Sequence, residues 1–241
     1  MSAPEVTRRW SPARLAVGAV VGLWAALFWF LLATGRTGLY LATRTAWLVP
    51  LGAVLTTIAA VGRLATARTA HSTPLRPREQ WYLGLVALPV VLFIALPPAT
   101  LGTFAANRRA TAGGVAGVVT PGDFEHGPLT MVHVASAQTN DEDLAKLRRR
   151  AGEEVTFQGI VVRQADTAAD EFFLTNFIVT CCVADAVTAQ VRVVNVPPGS
   201  FEEGEWVEVR GRIYPLGREI VVGASATSAI PRPDDPYITA A

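Results

Sequence analysis

Twenty-one consecutive residues without a charge lie between Arg14 and Arg36, "LAVGAVVGLWAALFWFLLATG". A helix rises about 1.5 Å per residue, so such a run crosses the roughly 30 Å hydrocarbon core of a bilayer. No water satisfies backbone N–H and C=O groups there, which confines a lone crossing segment to a helix. A second uncharged run, 45–62, is shorter and carries Pro50, Thr56 and Thr57. A third extends from Gln80 to Asn107, with Pro97 and Pro98 near its exit. A buried helix of a soluble core would account for any one of these runs, but not for three in succession. The expectation is an N-terminal anchor, residues 1–104, with spans at about 15–35, 45–62 and 81–103; a two-span or re-entrant arrangement is the alternative.

The first run has a basic flank, Arg8, Arg9 and Arg14, like a secretory signal. It is too long for an ordinary signal core, and no small-x-small cleavage site follows before Arg36, so it reads as a retained anchor. Trp24, Trp29, Trp47, Trp81 and Tyr82 are candidates for the membrane interfaces. Arginine sets the orientation. The N-terminus has three, the second interspan loop has Arg63, Arg68, Arg76 and Arg78, and the first loop has only Arg36 and Arg44. The positive-inside rule puts the N-terminus in the cytoplasm and, with three spans, everything after about residue 105 outside the membrane. No span holds an acid, a histidine or a lysine, which argues against a transporter working alone.

Charge divides the chain. Residues 1–104 have two acids, Glu5 and Glu79, against nine arginines, whereas residues 105–241 have eighteen acids against twelve basic residues. Residues 105–122, "AANRRATAGGVAGVVTPG", lack aromatics and read as a flexible linker. The stretch "LTMVHVASA", 129–137, alternates like a strand. "TNDEDLAKLRRR" then has a helix-start signature, with a Thr139 or Asn140 cap, acids in the first turn, arginines in the last and Gly152 as the stop.

Five strand-like runs follow, at 154–164, 171–181, 189–196, 205–216 and 219–230. Gly159 and Gly211 fall inside strands, where they suit bulges or sharp coiling. The expected fold is a membrane α-helical region of about three spans plus a small all-β OB-like barrel, 123–232, with one short helix and a C-terminal tail, 233–241. A five-stranded sandwich of another topology is its rival. OB barrels often bind nucleic acid, but an acidic domain outside the membrane has no phosphate-tracking groove, and its basic cluster, Arg148–Arg150, ends a helix.

Cys181 and Cys182, the only cysteines, are neighbours at the end of the second strand. Strand alternation points them to opposite faces, with Cys181 toward the core and Cys182 toward solvent. A disulfide between them is a poor staple, because consecutive Cα atoms lie about 3.8 Å apart, below the usual bridging range. For a metal site the other candidate ligands are Asp185, His133 and His126. Two thiols suit a soft ion such as zinc, copper or a metalloid, although the spacing matches no familiar zinc pattern. Metal binding, redox switching and simple packing all remain open. No nucleophile–base set, phosphate loop or paired carboxylates speaks for catalysis.

The stretches "FQGIVVR" (157–163), "NFIVTCCVADA" (176–186) and "EWVEVRGRIY" (205–214) resemble a family of bacterial proteins named as subunits of two-component membrane permease complexes. Its members have an N-terminal hydrophobic region and a tail domain with a CCxADA core. They commonly place a basic residue where this chain has Asn176, so a charge there is not carried over. The resemblance implies a separate multi-pass permease as partner, in the cell membrane, and no enzymatic activity. It leaves the transported substrate open. The alternative is a stand-alone membrane-anchored protein that binds metal or switches redox state through the vicinal cysteines.

Overall fold

A computed structural model describes residues 9–69, 74–96, 101–108, 123–165 and 167–239. Pro97, Pro98 and most of the expected linker, 109–122, lie outside the described residues. The chain forms two compact units, one of residues 1–37 and 46–98, the other of residues 38–45 and 99–241.

Among its described residues the first unit holds three helices long and apolar enough to cross a membrane. They are α1 (Pro12–Ala33), α2 (Leu48–Ala65) and α3 (Pro77–Ala95). A two-residue ribbon, β1 (Arg9–Trp10) with β2 (Arg68–Thr69), joins the chain before α1 to the chain after α2. Pro12 and Pro77 open their helices, where a missing N–H costs nothing and φ is already helical. The hydroxyls of Thr56 and Thr57 donate to the carbonyls of Gly52 and Ala53, each at 2.6 Å, so their polarity is absorbed within α2. Small residues bring α1 and α2 together: Ala53 is fully buried, and Gly18 lies where a Cβ would press on Leu64. Trp29 Nε1 donates to Thr57 Oγ1 at 3.1 Å, and Trp24 Nε1 to the Val86 carbonyl of α3 at 3.1 Å. The second bond ties Trp24, midway along α1, to α3.

The second unit carries the barrel. Its strands are β3 (Glu154–Val162), β4 (Phe172–Val179), β5 (Val187–Val194), β6 (Trp206–Leu216) and β7 (Glu219–Ala229). They run in the order β3-β6-β7-β5-β4, and β4 pairs back onto β3 to close the barrel. Only β5 and β7 are parallel within this ring, which is the five-stranded Greek-key closure of an OB-like fold. Gly211 marks a bulge between β6 and β7, and Gly159 lies where a Cβ would come within 2.6 Å of the Thr175 carbonyl. The segment expected as a tail supplies a further strand, β8 (Tyr237–Thr239), parallel to β4.

Three helices accompany the barrel: α4 (Thr103–Arg108), α5 (Met131–Thr139) and α6 (Asp141–Arg149). The sequence reading of 129–137 as a strand is therefore corrected. Met131 and the run from His133 to Ala137 are all buried, so the helix is covered on every side and its 3.6-residue period disappears from the sequence. Its start is fixed by a reciprocal cap between Thr130 and His133. The next helix is as read. Asn140 accepts from the Glu142 N–H at 2.8 Å, acids fill the first turn, and Gly152 takes the positive φ that ends the segment. Met131, Val134, Leu144 and Leu147 join Phe157, Phe172, Ile178 and Val209 in one core.

Candidate dithiol site at the barrel rim

Strand β4 ends at Val179, and the chain bends through Thr180–Cys182 into a single 3₁₀ turn, Val183–Asp185. Asp185 folds back over that bend. Its Oδ1 accepts the Thr180 N–H at 3.0 Å, and its Oδ2 accepts those of Cys181 at 2.7 Å and Cys182 at 3.4 Å. One carboxylate thus satisfies three amides that the end of the strand leaves without ladder partners. The two sulfurs lie 3.7 Å apart, both as free thiols.

Cys181 is exposed and Cys182 half-buried, the reverse of the orientation read from strand alternation. The period of two no longer applies once the strand has ended two residues earlier. The Asp185 carboxylate accepts from the Cys181 thiol; that bond, then the neighbouring Cys182, pushes the Cys181 thiol up to about 11. Burial alone would raise Asp185, but the Cys181 thiol and the three amides outweigh it and hold the carboxyl below its ordinary range.

The segment 38–45 completes the site. Leu41 forms an antiparallel bridge with Cys182. The Ala42 N–H donates to the Cys181 carbonyl at 3.1 Å, and the Val183 N–H to the Tyr40 carbonyl at 2.9 Å. Thr45 Oγ1 also donates to the Cys181 carbonyl, at 2.7 Å, and Arg44 Nε to that of Thr180, at 2.9 Å. Beneath them Ala42, Phe177, Val179 and Ala186 form a second apolar cluster on the outer face of the barrel. Nothing in the sequence marks this loop as part of the site. Its residues lie some 136 positions from their partners and carry no motif of their own.

Among the described residues, Cys181, Cys182 and Asp185 form one group of metal-type ligands, with ligand atoms within 4.8 Å of one another. The two candidate histidines are not part of it. His133 is buried on α5, where its Nδ1 accepts the Thr130 N–H at 3.0 Å and its ring meets Phe124 edge-on at 4.7 Å. His126 is exposed and bonded to Asp123 at 2.9 Å. Asn176 staples the barrel where the β3–β4 ladder opens, its Nδ2 donating to the Gln158 carbonyl at 2.9 Å. A neutral amide suits that role as an internal polar strut.

Fold and site together define a class: an OB-like barrel behind an N-terminal helical region with three candidate membrane spans, bearing a vicinal dithiol and a carboxylate at its rim. Residues 142–240, from α6 through β8, match the family described as DUF1980 C-terminal domain, and the match includes Cys181, Cys182 and Asp185. Among curated proteins the chain has no match.

Proposed function

We propose that the protein is a non-enzymatic accessory subunit of a bacterial membrane permease complex. In this reading it is anchored by three spans and offers a soft-ion site of Cys181, Cys182 and Asp185, outside the membrane, to a multi-pass partner. The observation that carries it is the dithiol–carboxylate group, prearranged by backbone bonds to Asp185 and to the loop 38–45. Two thiols beside a carboxylate are a ligand set for a soft or borderline cation.

Topology supports the location. The loop between α1 and α2 belongs to the barrel's unit, which supports one side of the membrane for both. The barrel follows α3, so a shared side for loop and barrel favours three crossings over two. Arginine asymmetry then favours the outside for that shared face. The partner rests on the resemblance and on spans whose one acid, Glu79, lies in the first turn of α3 and which hold no histidine or lysine, a composition that suits an anchor better than a transport path.

Affinity purification of the full chain in mild detergent is expected to recover a multi-pass permease. Repeated recovery of the chain alone contradicts the subunit assignment. The second reading, a stand-alone metal-binding or thiol-redox protein, is favoured by the exposure of Cys181. It predicts that the chain without any partner accounts for the cell's Cys181- and Cys182-dependent metal or redox phenotype.

A further inference from the structure

The spacing of the two sulfurs carries the argument from a soft ion in general to one class of ion. Two thiolates bound to a tetrahedral ion at the Zn–S length of about 2.3 Å lie about 3.8 Å apart. Cys181 Sγ and Cys182 Sγ are 3.7 Å apart. A linear two-coordinate ion with bonds of that length needs a separation of about 4.6 Å, and a disulfide about 2.05 Å. The third donor points the same way. Asp185 supplies a carboxylate, an oxygen ligand that zinc accepts readily and that a soft monovalent copper ion does not favour.

We propose that Cys181, Cys182 and Asp185 bind one tetrahedral divalent ion of the zinc class, with the fourth position open to solvent or to a ligand from the partner. The inference rests on the soft-ion reading above. It deepens that reading by choosing the ion and its geometry. Loading replaces the two thiol protons, which leave to solvent, and no electron is transferred. An ion of charge 2+ against two thiolates and one carboxylate leaves the occupied site with one net negative charge. Three protein ligands and one open position describe a site that can pass its ion on, unlike the closed four-ligand set of a structural zinc. The hydrogen bonds to the Cys181 carbonyl from the Ala42 N–H and the Thr45 hydroxyl keep the chain at the thiols in place during exchange.

The test uses the full chain in mild detergent, reduced and stripped of metal, with Zn(II), Co(II) as its spectroscopic stand-in, and Cu(I) as separate probes. Expected are one zinc per chain and a Co(II) spectrum with intense visible bands of four-coordinate cobalt and a thiolate-to-metal charge-transfer band. One equivalent of zinc displaces both features. Cys181→Ser/Cys182→Ser abolishes them. Asp185→Asn weakens zinc binding at least tenfold; because Asp185 also holds the bend, circular dichroism of each variant accompanies the titration, and the double serine variant, altered only at the rim, decides alone if the asparagine variant unfolds. Cysteine-dependent Cu(I) binding without four-coordinate Co(II) overturns the choice of ion and leaves the soft-ion reading standing. No cysteine-dependent binding of any of the three overturns both.

Discussion

Cys181 shows how a neighbour sets the chemistry of a thiol. A shift from 9.0 to about 11 leaves about 100-fold less thiolate at neutral pH, and the thiolate is the reactive species. The sign is clear: a raised pKa slows alkylation at pH 7, and the rate climbs about tenfold per pH unit until the thiol titrates near 11. Residue-resolved mass spectrometry after iodoacetamide treatment checks this, and fast labelling of Cys181 at pH 7 contradicts it. Asp185→Asn removes the acceptor and shifts the profile of Cys181 to lower pH. The three candidate ligands were legible in the sequence, because thiols and an acid four residues apart are visible as letters, and the structure brings them together. Which thiol faces solvent was not, because that depends on where β4 stops, at Val179, two residues before the motif.

At the scale of elements, strands were read well and the buried helix poorly. Runs such as 206–216 keep one face inside the barrel, so alternation survives in the sequence, whereas α5 is buried all round and leaves no period to read. The loop 38–45 was illegible for another reason: it meets main-chain groups of Thr180, Cys181 and Val183 through two backbone bonds and the side chains of Arg44 and Thr45, a set that no motif announces. Ala42→Pro deletes the N–H bonded to the Cys181 carbonyl and detaches that strand of the clamp. The barrel core, built from other residues, is expected to stay folded while the Val183 amide loses hydrogen-exchange protection. Unchanged protection of Val183 contradicts the clamp. Inside the barrel, Gly159→Val pushes a side chain against the Thr175 carbonyl and is expected to cost about 1–3 kcal/mol or more in thermal or denaturant unfolding. Leu147→Ala, which empties a fully buried position, is expected to cost about 2–5 kcal/mol.

For the whole molecule, two halves of opposite charge balance correspond closely to two compact units. The three candidate spans were legible because hydrocarbon imposes long uncharged runs on any sequence that crosses it. The barrel was legible as a count of strands, and the pairing order followed from the structure alone. What joins the halves into one functional account is the sidedness of the rim: the loop after α1 and the barrel after α3 belong to one unit, and the outside is the side we propose for both. The most direct measurement is labelling of Cys181 and Cys182 by a membrane-impermeant maleimide on intact cells, after mild reduction and at pH 8 to offset the raised thiol. The account predicts labelling without permeabilisation, lost in Cys181→Ser/Cys182→Ser and suppressed when zinc is added first. Labelling that appears only after the membrane is opened places the dithiol in the cytoplasm and contradicts the account.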